Sequence, residues 1–173
     1  MLMSNRTVIS SRKPCSKKFR RAVLVDADKI VLDRLEFLRN EVHYLKSERD
    51  QALSLSAYTT NVRLRKATER SLHLAIEACL DIGRRLIALN GWTQPENNQA
   101  VFQILATEGV VSDTLLPTLL DMTRFRNLIV HDYTRIDDAI VYTILTKRLG
   151  DFDAYATAIH AYLQREQDGS EES

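Results

Sequence analysis

Glycine and proline are scarce in this chain, five and three among 173 residues. A β-sandwich or barrel turns often and draws on both residues, so those architectures are disfavoured. No Gly-rich phosphate loop follows a strand-like run, which argues against a dinucleotide-binding sheet. The two cysteines, Cys15 and Cys79, lie far apart and form no Cys-x-x-Cys. Neither a disulfide framework nor a zinc site is written here, and a reducing cytoplasm is the expected compartment. No apolar run reaches the roughly 18 to 20 residues that cross a bilayer, and the basic N-terminus lacks the apolar stretch of a secretory signal. Neither a membrane nor a cofactor is expected as a partner. What is present, 45% apolar and 27% charged residues, suffices to bury one core in a single all-helical domain.

The formal charge of +1 conceals an asymmetry. Residues 1–21 carry seven Lys/Arg and no acid, so residues 22–173 hold 17 basic against 23 acidic residues. Such an arm can hold a nucleic acid by releasing counterions, but it reads more plainly as a disordered leader over residues 1–25. Residues 166–173 form an acidic tail. The fold is expected between them, over 26–165.

Helical periodicity dominates that span. Val31, Leu35, Leu38, Val42 and Leu45 predict a first helix within 26–54. Leu72, Ile76, Cys79, Gly83, Leu86 and Leu89 predict a second from Tyr58, stopped by Asn90-Gly91. A short third helix follows Pro95 and closes at Gly109, and a fourth runs from about Thr114 to His131 with Pro117 in its first turn. A fifth, capped by Asp137 or Asp138, extends to about Gln164, with Gly150 able to kink or split it. Four long helices and a short one predict an antiparallel up-and-down bundle.

The fourth helix has two stripes. Leu115, Leu119, Met122, Phe125 and Ile129 are assigned to the core. Leu116, Leu120, Thr123, Asn127 and His131 begin apolar and end polar, the pattern of a helix that packs on a second chain beside a polar cleft. Asn127 and His131 share a face, so the amide can hold the imidazole in one tautomer. Arg126 stands about 140° from His131 on an ideal helix, and its long stem lets both reach one phosphate. A forked permanent cation and a group that exchanges protons near neutrality suit phosphodiester cleavage. Taken alone, the pair reads more simply as a solvated Arg and a helix-end His stabilising the dipole. His43, His73 and His160 read as surface or partly packed. Glu77 and Asp81, flanked by Arg70 and Arg84, read as a solvated salt-bridged face rather than a cleft wall or a metal site. Asp26-Ala-Asp28 and Asp151-Phe-Asp153 look like the paired acids of a nucleotidyltransferase but sit in helical sequence, with no Gly-Ser loop before either.

The segment Met122-Thr-Arg-Phe-Arg-Asn-Leu-Ile-Val-His-Asp-Tyr133 resembles the Arg-x4-His-x-Tyr signature of the HepT-like family of HEPN ribonuclease toxins. Glu69 to Gly83 is similar to the family's second helix, and Leu149 to Asp153 to the end of its domain. The resemblance covers about residues 26–165 and implies a HEPN-like bundle. It further implies a homodimeric toxin that cleaves RNA without metal, leaving a 2′,3′-cyclic phosphate, and a partner antitoxin of the MntA type, a minimal nucleotidyltransferase. Carried over, Arg126 and His131 would be catalytic, Asn127 would orient the site, and Tyr133 would accept AMP and so silence the toxin. The alternative is a non-catalytic HEPN module that binds a nucleotide or scaffolds a nucleotidyltransferase.

Overall fold

A computed structural model describes residues 17–131 and 136–171, with side-chain surroundings for 29–130 and 136–168. Those residues form helices α1 (Lys17–Gln51), α2 (Leu55–Thr60), α3 (Val62–Asn90), α4 (Asn98–Thr107), α5 (Leu116–His131), α6 (Asp138–Lys147) and α7 (Gly150–Glu171), with no strand among them. The all-helical bundle is as expected, but the helix count is not. No Gly or Pro lies between Pro14 and Gly83, so the break between the first two long helices comes from side-chain caps. Ser54 Oγ accepts from Ala57 N, and Asn61 Oδ1 accepts from Leu64 N, both at 3.1 Å. Each offers a first-turn N–H the partner it otherwise lacks. Tyr58 therefore belongs to the short α2, where it is fully buried, and not to the start of α3.

The expected fifth helix is likewise two, α6 and α7. Asp137 caps α6 by accepting from Ala139 N at 2.8 Å. The break at residues 148–149 places Leu149 in the core, while Arg148 pairs with Asp151 across the corner at 2.6 Å. At the other end of the chain, α1 begins at Lys17, inside the segment expected to be a leader. Phe19, Val23 and Ala27 extend its four-residue spacing with nothing to break it. Residues 1–16 lie outside the described residues. The acidic segment from 166 continues α7 as far as Glu171.

The core is organised around α3. Leu72, Ala75, Ile76, Ala78, Cys79, Leu80, Ile82, Leu86 and Ile87 are all buried, so this helix is covered on most of its circumference. The α1 stripe from Val31 to Leu45 closes one side, and Phe152, Tyr155 and Ile159 of α7 are buried in the same core. Gly83 is needed for the approach of α4: a Cβ there would lie 2.5 Å from Val101 Cγ1 and 3.2 Å from Leu105 Cδ1. Tyr155, with no exposed surface, donates its hydroxyl to the Cys79 carbonyl at 2.9 Å and fastens α7 to α3. Gly91 terminates α3 in the left-handed region at φ 67°, as Asn90-Gly91 predicts. No helix among the described residues is long and apolar enough to cross a membrane.

Candidate active site

Helix α5 enters the site through its core face. Ser112 accepts from Leu115 N and Leu116 N at the start of the helix, and Pro117 falls in the first turn, where its missing N–H costs little. Leu119, Met122 and Phe125 are buried as expected, with Leu115 and Ile129 partly so. The second stripe is less uniform than its sequence suggests. Leu116 and Leu120 are half-buried, but Thr123 is completely buried and donates its hydroxyl to the Leu120 carbonyl at 2.7 Å, so it faces its own chain rather than a cleft.

Fixing the core face sets the direction of Arg126. Its Nε donates to Glu77 Oε1 of α3, a residue 49 positions earlier. The two side chains are 22% and 27% exposed, which shields their attraction from solvent far better than at an open surface. Arg124, two residues before, shows the contrast: it pairs within α5 with Asp121 at 2.5 Å, and both side chains are about two-thirds exposed. His73, one turn before Glu77 on α3, places Nε2 at 3.5 Å from the same carboxylate oxygen. On its other side His73 Nδ1 lies 3.5 Å from Arg70 Nη1. A guanidinium only donates, so that contact requires the lone pair on Nδ1 and puts the proton of a neutral ring on Nε2, facing Glu77.

These contacts correct one expectation and extend another. Glu77 is not part of a solvated ladder along α3 but the interhelical partner of Arg126. His73 is partly packed, as expected, and forms one side of the same cluster. Asp81 does behave as expected, meeting Arg84 at 3.3 Å and Arg34 at 4.0 Å. Arg70, His73 and Glu77 follow one another at three then four residues, which puts them on one face of α3; that spacing is the available signal. Pairing across to α5 has no counterpart in local sequence.

Asn127 follows Arg126 on α5 and is exposed. His131 is the last residue of α5, but its side chain lies outside the described residues, as does Tyr133 altogether. A groove of about 450 Å³ lies between α3, α5, α6 and α7, lined by Ile76, Met122, Phe125, Ile140, Ile144 and Phe152 among others. It is mostly apolar, with Asp121, Arg148 and Asp151 also in its lining, and contains none of the expected site residues. Among the described residues, no group of three or more His, Cys, Asp or Glu side chains converges so that it could hold a metal ion.

Residues 30–159 match the family model described as Ribonuclease HepT-like. The chain belongs to the HepT-like ribonuclease family. The matched span contains Glu77, Arg126, Asn127, His131 and Tyr133. Two HepT-like relatives are an mRNA nuclease HepT of Shewanella oneidensis and a tRNA nuclease HepT of Aphanizomenon flos-aquae. The first is 26% identical over 106 residues, covering 61% of this chain and 80% of the relative. The second is 25% identical over 134 residues, covering 78% and 90%. A solved structure of the tri-AMPylated Shewanella oneidensis HEPN toxin in complex with MNT antitoxin superposes with a TM-score of 0.70 at 22% identity. It covers 76% of this chain and 97% of that toxin, and the likeness shows that the HepT-like fold is shared.

Proposed function

We propose that this chain is the ribonuclease toxin of a toxin–antitoxin pair, with Arg126 and His131 as its catalytic residues. The observation that carries the reading is the placement of Arg126, held half-buried by a second helix inside a HepT-like domain whose motif continues to His131 and Tyr133. Both named nuclease relatives support an RNA substrate, one an mRNA and the other a tRNA nuclease. In the reaction, a ribose 2′-hydroxyl attacks the adjacent phosphorus and the 5′-oxygen departs with a proton. The 2′,3′-cyclic phosphate remains. Arg126 stabilises the charge that accumulates on the phosphoryl oxygens, His131 moves protons, and Asn127 orients the imidazole. No metal takes part.

Attack and departure want both a base and an acid, and each chain has one motif His. A two-fold dimer brings two copies of His131 together, and the half-buried Leu116 and Leu120 supply apolar surface for it. Regulation rests on Tyr133. Its phenolic oxygen attacks the α-phosphorus of ATP on an MntA-like nucleotidyltransferase, pyrophosphate leaves, and the AMP phosphate takes the place of the scissile one beside Arg126. The tri-AMPylated relative bound to an MNT antitoxin supports this route.

Purified protein should cut RNA in the presence of EDTA and sediment as a dimer at micromolar concentration. Incubation with the cognate nucleotidyltransferase and ATP should add AMP mass to Tyr133 and stop cleavage, whereas Tyr133→Phe should stay active and resist silencing. Cleavage that requires a metal, a monomer, or an adduct on another residue would each refute the corresponding part.

A further inference from the structure

We infer that Glu77 is a positioning residue for Arg126: it fixes the guanidinium from α3 so that one edge faces the scissile phosphate. The inference rests on the reading of Arg126 as the phosphate-binding group. An arginine stem has several freely rotating bonds, and Arg126 starts on a helix face about 140° from that of His131. Left to itself, the side chain would sweep a wide arc over α5. Glu77 removes that freedom by accepting from Nε, the donor nearest the backbone. A guanidinium has five N–H donors in a rigid plane. Holding Nε fixes the orientation of the plane and does not consume the Nη1/Nη2 edge, the edge that suits a bidentate phosphate.

The carboxylate is itself held. It projects from α3 where the neighbouring Ile76 and Ala78 are buried in the core. His73 Nε2 faces Glu77 Oε1 at 3.5 Å from the turn before. Partial burial of Glu77, His73 and Arg126 limits screening by water. A negative charge beside an anionic substrate would be a liability without this purpose, because it competes with the phosphate for Arg126. Its monodentate contact at Nε is the arrangement in which positioning and phosphate binding coexist.

The test uses the full chain carrying Glu77→Ala and, separately, Glu77→Gln, whose amide oxygen can still accept from Nε. Glu77→Ala should lower kcat for RNA cleavage by about 10- to 100-fold with KM nearly unchanged. Its thermal midpoint should stay within about 4 °C of the parent. Glu77→Gln should recover most of the loss. In the free protein, the Arg126 Nε–H resonance should be ordered in the parent and averaged in Glu77→Ala. Equal cleavage by Glu77→Ala, faster cleavage or tighter RNA binding, or an unchanged Arg126 resonance would each overturn the inference. A parent protein that cuts no RNA, yet loses Arg126 order in Glu77→Ala, would instead refute the ribonuclease reading and leave the positioning contact standing.

Discussion

The two sides of α3 do different work. One is apolar and tightly closed: Gly83 admits Val101 and Leu105 of α4 to near contact, and the Cys79 carbonyl receives the Tyr155 hydroxyl of α7. The other is a polar line through Arg70, His73 and Glu77 that ends on Arg126. Packing density governs the first side, where one added carbon has nowhere to go. Charge and orientation govern the second, where side chains are half-buried and can change identity without opening a void. Stability and chemistry are therefore expected to separate by face of one helix rather than by region of sequence.

The sharpest way to break that separation is at the polar side. Arg126→Ala and His131→Ala should each reduce RNA cleavage by at least about 10²- to 10³-fold, while circular dichroism and thermal midpoint stay near those of the parent. Loss of fold in Arg126→Ala would show that the ion pair is structural and erase the distinction. On the closed side, Gly83→Val should cost about 3 kcal/mol by overpacking against Val101, measured by denaturant unfolding, with activity per folded molecule retained. Tyr155→Phe should cost less, about 1–2 kcal/mol, because it removes one buried hydrogen bond and little volume. The smallest effect belongs to Arg124→Ala. Its ion pair with Asp121 is exposed, so stability should move by less than about 0.5 kcal/mol and cleavage by less than about twofold. A large loss of cleavage there would show that exposure on α5 does not distinguish the two arginines.

Legibility in the sequence follows the same division. The core stripe of α5 and that of α1 are read correctly because a buried face repeats every three or four residues, whatever packs on it. The glycine stop of α3 and the Asp137 cap are equally local. The α1–α2–α3 breaks are carried by Ser54 and Asn61, short polar side chains that compete with the helix through single hydrogen bonds; hydrophobic periodicity passes over them. Thr123 departs from its expected face because its position on a helical wheel does not reveal that its hydroxyl is satisfied by its own backbone and so can be buried.

By itself, the sequence determined an all-helical bundle and the register of its apolar faces, and it put Arg126, Asn127 and His131 within six residues of one another near the end of its fourth predicted helix, since helix formation and amphipathicity depend on neighbours three and four residues away. Only the tertiary structure decided that Glu77 meets Arg126, that His73 joins them, and that Arg124, equally basic and two residues away, is left on the surface. Those outcomes depend on how α3 and α5 are seated against each other. That seating is fixed by the summed packing of side chains far apart in sequence, to which no local pattern gives access.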